Sequence, residues 1–104
     1  MQTVKTAPTK NYQDHLAIAL NDPQRAAGNI EIVLQEKERL SGMLQLTLED
    51  IINARKKANN LSESAQLASE KLAAILAQTN GQEIYSFVDL LEELELQINI
   101  MPSI

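Results

Sequence analysis

Apolar residues in this chain recur three and four positions apart along most of its length, with little glycine or proline to interrupt them. The runs Ala26, Ala27, Ile30, Val33, Leu34 and Leu44, Leu48, Ile51, Ile52 each lay one apolar stripe along an α-helix. Three Gly and three Pro in 104 residues leave room for long helices. An apolar fraction of 44% argues against intrinsic disorder, and the length suits one domain with one modest core. The expected fold class is all-α.

The punctuation divides the chain. Residues 1–10, polar and containing Pro8, read as a flexible N-terminal arm, and residues 11–104 as a single helical domain. A first short helix begins near Tyr12 with apolar positions Leu16, Ile18, Ala19 and Leu20. Asp22-Pro23 opens a second that runs to about Lys37: Asp serves as N-cap and Pro sits where a missing N–H is no loss, while Gly28 weakens the middle. Ser41 is placed to cap a third helix reaching about Lys57, with basic residues on its last turn, where the helix dipole favours them.

Asn60 with Glu63 has the form of a capping box for a short helix from Leu61 to about Gln66, with Leu61 and Ala65 inward. A further helix from about Ala68 to Ala77 would bury Leu72, Ile75 and Leu76, and Asn80-Gly81 ends it with residues that tolerate left-handed backbone. A last amphipathic helix runs from Ile84 to Leu94 through Phe87, Val88 and Leu91. The tail Leu96-Gln97-Ile98-Asn99-Ile100 alternates apolar and polar, the period of a short β-strand. With no second strand in the chain, its natural partner is the same strand of a second copy, paired antiparallel in a homodimer. An irregular tail packed on the last helix fits the pattern equally well.

Charge is unevenly spread. The net charge is −5, yet residues 55–80 hold four basic side chains against two acidic, whereas residues 1–54 hold five against seven and residues 81–104 none against five. A duplex is a dense line of phosphates, so an acidic protein approaches it only through a locally basic face. Two short helices joined by a tight turn within that basic segment suggest a helix-turn-helix DNA reader at about residues 60–78. Ordinary solvated helix surface accounts for the charge alone more simply.

Catalysis is not expected. The absence of Cys removes thiol nucleophiles and thiolate metal sites, and a lone His15 makes no metal cluster. Adjacent carboxylates at Glu49-Asp50 and Glu92-Glu93 point about 100° apart on a helix and do not share a site. There is no Gly-rich phosphate loop and no His-Glu-x-x-His, so no cofactor and no small-molecule substrate are expected. The first ten residues lack the apolar stretch of a secretory signal, and no run of about 18 apolar residues is present, so no membrane contact is expected and the cytoplasm is the expected location.

One resemblance runs through residues 12–102. Leu20-Asn21-Asp22-Pro23-Gln24-Arg25-Ala26-Ala27, then Leu48-Glu49-Asp50-Ile51 with Ala54-Arg55, then Leu61, Leu67-Ala68-Ser69-Glu70-Lys71-Leu72 and Ile75-Leu76, and finally Leu90-Leu91-Glu92-Glu93-Leu94-Glu95-Leu96-Gln97-Ile98 with Pro102, follow one spacing without a gap from Asp50 onward. In these marks the chain resembles the addiction-module antidote proteins, HigA-type antitoxins with a lambda-repressor-like helix-turn-helix of the XRE class. The resemblance implies a small all-α antitoxin, usually a dimer, that neutralises a RelE-like ribonuclease toxin and represses its own operon by binding operator DNA.

The departures matter. Where the family usually has Gly at the turn, this chain has Gln66, and where it has Ala in the preceding helix, this chain has Ser62; on the recognition helix the family's Arg and Tyr are Ser69 and Ala73, and a further polar position is Ala74. A positive φ at Gln66 would cost on the order of 1 kcal/mol against Gly. Groove-facing roles fall to Gln66, Ser69 and Lys71, with Gln78 further along, and phosphate positioning to Lys56, Lys57, Asn59 and Asn60. An alternative is a degenerate member that keeps only its protein-binding surface. A basic toxin would meet the N-terminal arm and the first two helices, with Asp14, Asp22, Glu31, Glu36 and Glu38 supplying the complementary charge.

Overall fold

A computed structural model describes the backbone of residues 9–103 and the side chains of residues 15–103. Five helices follow one another: α1 (Thr9–Leu20), α2 (Pro23–Gln35), α3 (Met43–Lys57), α4 (Glu63–Thr79) and α5 (Gln82–Glu93). Helices α1, α2 and α3 pack mutually, α4 lies on α3, and α5 lies on α2. The all-α expectation holds. Of the expected arm, residues 1–8 lie outside the described residues, while Thr9 and Lys10 already belong to α1, since nothing after Pro8 interrupts a helix.

The Asp22-Pro23 start is as read from the sequence. Asp22 is extended (φ −76°, ψ 119°), its carboxylate accepts from the Gln24 N–H at 3.1 Å, and Pro23 is the first helical residue. Helix α2 stops two residues short of Lys37, because Glu36 turns extended at ψ 134°. The start of α3 differs from expectation: Gly42, at φ 78°, holds the cap position and offers no side chain. Ser41 is employed elsewhere, its Oγ accepting from Asn80 Nδ2 at 2.8 Å across to the α4–α5 turn.

The largest correction concerns residues 60–78. No helix-turn-helix is formed there; Glu63–Thr79 is one helix of 17 residues and Gln66 lies inside it. The reason lies in the residues around Gln66. Glycine at that position stops a helix and takes up positive φ, whereas Ala65-Gln66-Leu67-Ala68 is a run of good helix formers with nothing to end it. The cap also moves: Ser62 Oγ, not Asn60, accepts from the Ala65 N–H at 3.1 Å. Asn59 takes the left-handed conformation at φ 54° that closes α3, so the two asparagines belong to the connection.

Six buried residues from four helices form the main core: Val33 and Leu34 of α2, Leu44 of α3, Leu76 of α4, and Tyr85 and Val88 of α5. Leu20 of α1 with Ile51 and Ala54 of α3 form a second cluster, and Ile30 packs against both. Several residues expected inside are exposed, including Ile18, Ile75, Phe87 and Leu94. On α5 the buried pair Tyr85 and Val88 fixes the inward direction, and Phe87 lies about 100° from Val88 around the axis.

The connection between α2 and α3 is fastened to α5 by charge. The Arg39 guanidinium forks onto the Asp89 carboxylate, with Nη1 to Oδ2 at 3.0 Å, and its Cζ stands 4.5 Å from the centre of the Tyr85 ring. The hydrogen bond from Arg39 holds the Asp89 carboxyl below the usual carboxylate value. Tyr85 in turn donates its hydroxyl to the Val33 carbonyl at 3.4 Å, and burial raises its phenol.

The expected β-strand at Leu96–Ile100 is absent among the described residues. These residues leave α5 and lie against α2, with Gln35 Nε2 donating to the Ile98 carbonyl at 3.1 Å and the Ile100 N–H donating to Glu31 Oε1 at 2.8 Å. A strand needs a second backbone to pair with, and here the partners are side chains.

The α4–α5 turn is closely packed. Asn80 (φ 60°) and Gly81 (φ 82°) are both left-handed, and a Cβ at Gly81 would stand 3.1 Å from Leu44 Cδ2. Gly81→Ala is expected to destabilise the protein by about 1–2 kcal/mol, from the left-handed backbone and the crowded leucine together. Urea denaturation followed by circular dichroism measures this, and an unchanged midpoint would refute it.

Candidate functional site

Helix α4 decides what the expected DNA-reading residues can do. Its inward face is set by Ala65, Gln66, Ser69, Leu72, Ala73 and Leu76, all buried or half-buried. Gln66 and Ser69 are therefore on the protein side. Gln66 Nε2 donates to Glu70 Oε2 at 3.3 Å, and Ser69 Oγ donates to the Gln66 carbonyl at 2.7 Å, so both are engaged by their own helix. Lys71 and Gln78 are exposed on the outer face, two turns apart. The three residues expected to enter a groove together do not share a face.

The phosphate-positioning set is brought together. Lys56 and Lys57 end α3, and Asn59 and Asn60 follow in the connection, all exposed. Arg55 braces this corner: its carbonyl accepts from the Asn60 N–H at 2.8 Å and its Nη1 donates to the Asn60 carbonyl at 3.3 Å. Three cations at a helix C-terminus sit where the dipole is negative, which accounts for the cluster without any ligand.

Grooves flank these helices. One, about 500 Å³, lies between α3 and α4, with Leu48, Ile51 and Ile52 on one wall and Ala65, Ala68 and Ala73 on the other. The alanines hold it open, because they are too short to fill the space that larger residues on the same face would close. Its charged rim is mixed, with Glu49, Lys56 and Glu70.

The second groove, about 260 Å³, is bounded by α1, α2, the α2–α3 connection and α3. Leu16, Leu20, Ile32, Leu40 and Met43 supply its apolar surface, and Ile32 and Leu40 are each about three-fifths exposed. Its charged residues are all acidic: Glu36, Glu38 and Asp50. Half-burial, and then the neighbouring Glu49, push the Asp50 carboxyl above its usual value. Asp50 has no hydrogen-bond or ion-pair partner among the described residues. It is a carboxylate held in a partly desolvated place without compensation.

Of the acidic residues assigned by sequence to a basic partner, Glu36 and Glu38 fall in this groove, Asp22 caps α2, and Glu31 holds the tail. The side chain of Asp14 lies outside the described residues. Asp50 was missed as a groove residue, since adjacent carboxylates on a helix look like solvated surface. Its half-buried setting depends on where Leu40 and Met43 fold back. No group of three or more His, Cys, Asp or Glu arranged to hold a metal occurs among the described residues, and no helix there is long and apolar enough to cross a membrane.

Comparison with protein-family models, with curated proteins and with solved structures finds no match for this chain.

Asp50 gives a direct test of the groove's electrostatics. Its native carboxyl titrates above 3.8, so at neutral pH the ionised group opposes folding, and this opposition is relieved as pH falls through the native value toward 3.8. Asp50→Asn is therefore expected to raise the thermal midpoint at neutral pH, with the gain vanishing in acid. A lowered midpoint at neutral pH would show that Asp50 has a stabilising partner.

Proposed function

We propose that the chain is the antitoxin of a toxin–antitoxin module, a non-enzymatic cytoplasmic protein that neutralises a basic RelE-like toxin by binding it. The observation that carries this reading is the acidic, apolar groove beside α1, α2 and α3. A basic amphipathic segment laid there buries apolar side chains against Ile32, Leu40 and Met43 while its cations meet Glu36, Glu38 and Asp50. Pairing at Asp50 also relieves a desolvation cost that the free protein already bears.

A second reading adds repression of the module's own operon through operator DNA. It is favoured by the exposed corner of Lys56, Lys57, Asn59 and Asn60, which suits phosphate contacts. Base reading has less support, because Gln66 and Ser69 point inward while Lys71 and Gln78 point outward. DNA contact through that corner is phosphate-directed, strongly salt-dependent and only weakly selective for sequence.

The toxin reading is tested with the product of the neighbouring reading frame, provided that frame encodes a short basic protein. Titration is expected to give a saturable complex, and the double substitution Glu36→Lys with Glu38→Lys to weaken it about tenfold or more, chiefly by slowing association at low salt. An unchanged affinity would remove the groove from the toxin interface. For DNA, the protein is titrated against its own promoter fragment and random duplex at two salt concentrations. Lys56→Ala with Lys57→Ala is expected to weaken both alike and to flatten the salt dependence. Promoter binding no tighter than random binding at either salt eliminates the specific repressor and leaves the antitoxin standing.

A further inference from the structure

The apolar groove between α3 and α4 continues past its apolar walls. An adjoining depression of about 550 Å³ is lined by Arg55, Asn59, Asn60, Leu61 and Ser62, and Ile51, Ile52 and Ala65 line both. The two form one groove with unlike halves. One half offers leucines, isoleucines and alanines, and the other a guanidinium, two amides and a hydroxyl.

Charge is sorted along the groove in the same way. Residues 55–62 carry Arg55, Lys56 and Lys57 and no acid, and no carboxylate lines the polar half. Glu63 opens α4 but lines neither half. The two carboxylates of the apolar half are set back: Glu49 lies two turns before Lys56, about 10 Å along α3, and Glu70 lies more than a turn beyond Ala65 along α4. Each accepts from a glutamine of its own helix, Gln45 at 3.2 Å and Gln66 at 3.3 Å. Arg55 Nη1 is bound to the Asn60 carbonyl, whereas Lys56 Nζ has no hydrogen-bond or ion-pair partner among the described residues. The negative end of the α3 dipole offsets only about half a charge, well short of three. The polar half therefore has an excess of cations.

We infer that this groove binds a single-chain amphiphile with an anionic head, of which a fatty acid is the simplest example. Its chain lies between α3 and α4, and its head meets Arg55, Lys56, Asn59 and Asn60. Gln45 and Lys56 are 11 residues apart on the α3 wall, about 16 Å, which accommodates an extended chain of roughly ten to twelve carbons. The apolar half alone, at about 500 Å³, falls within the range of small-molecule sites. Charge selects this occupant over a partner's amphipathic helix. A helix with charges along its length would set some of them against Glu49 and Glu70 or against Lys56, whereas a fatty acid places its one charge where only cations stand. The site shares no residue with the acidic groove that carries the toxin reading. It does share Lys56, Asn59 and Asn60 with the DNA reading, so it is measured without DNA.

The ¹⁵N-labelled full chain is titrated with decanoate, below its micelle concentration, and separately with decanol, and amide shifts are followed by NMR. Decanoate is expected to saturate at one per chain, with shifts concentrated in the second half of α3 and the first half of α4. Lys56→Glu, an exposed change, is expected to weaken decanoate about tenfold and to leave decanol unchanged. Ala68→Leu, on the groove wall, is expected to weaken both about tenfold by filling the space the chain occupies. Absence of saturable decanoate binding overturns the proposal and leaves the groove to another occupant, such as a partner's helix. So do shifts centred on α1 or α5, equal weakening of both ligands by Lys56→Glu, or indifference of both to Ala68→Leu. Should Ala68→Leu alter the helical circular dichroism, the response of the two ligands to Lys56→Glu decides.

Discussion

The meeting of Gly81 with Leu44 and Leu76 is the constraint from which the rest of the arrangement follows. Leu76 is the most deeply buried residue of α4, 2% exposed, and Leu44 that of the main cluster in α3 at 4%. The chain reverses between α4 and α5 directly beside them, in two successive left-handed residues, and a Cβ at the second would crowd a leucine methyl. Only that reversal lets Tyr85 and Val88 close over Val33 and Leu34. Ser41 and Asn80, hydrogen-bonded across 39 residues of sequence, fasten the other side of the junction. Four helices thus register on one glycine, and the placement of both grooves depends on that registration.

How much was legible in the sequence varies with the range of the interaction. Local chemistry read well: Asp22-Pro23 caps α2, Asn80-Gly81 ends α4, and Met43–Lys57 is helical with its cations on the last turn. Ser41 and Asn60 were misplaced as caps because a neighbour made the closer fit, Gly42 by its backbone and Ser62 by its hydroxyl. A break was expected near Gln66, yet the residues there are themselves helix formers. The inward face of α5 was misjudged at Phe87 and Leu94, since apolar residues cover more of that helix than its neighbours bury. The candidate groove was legible only in Glu36 and Glu38. Its apolar half depends on how the 36–42 connection folds back, which no periodicity encodes.

That surplus of uncovered apolar surface extends across the described residues. No described side chain is less than 2% exposed, yet Ile32, Leu40, Phe87, Leu90, Leu94 and Leu96 are each more than half exposed. Scattered apolar residues are normal on a protein surface, but Phe87, Leu90 and Leu94 follow helical spacing on one side of α5. A small core beside wide apolar faces leaves this fold with less burial to hold it than a larger domain has.

The way the tail is held has its own consequence. A strand within a sheet is retained by its backbone and cannot leave without disrupting neighbours, whereas residues 98–100 are retained by the side chains of Gln35 and Glu31 and by partly buried isoleucines. Releasing them breaks no helical hydrogen bond. The C-terminal segment can therefore open without unfolding α2 or α5, at the cost of two hydrogen bonds and the packing of Ile98 and Ile100. The protein carries a detachable latch on an otherwise cooperative helical body.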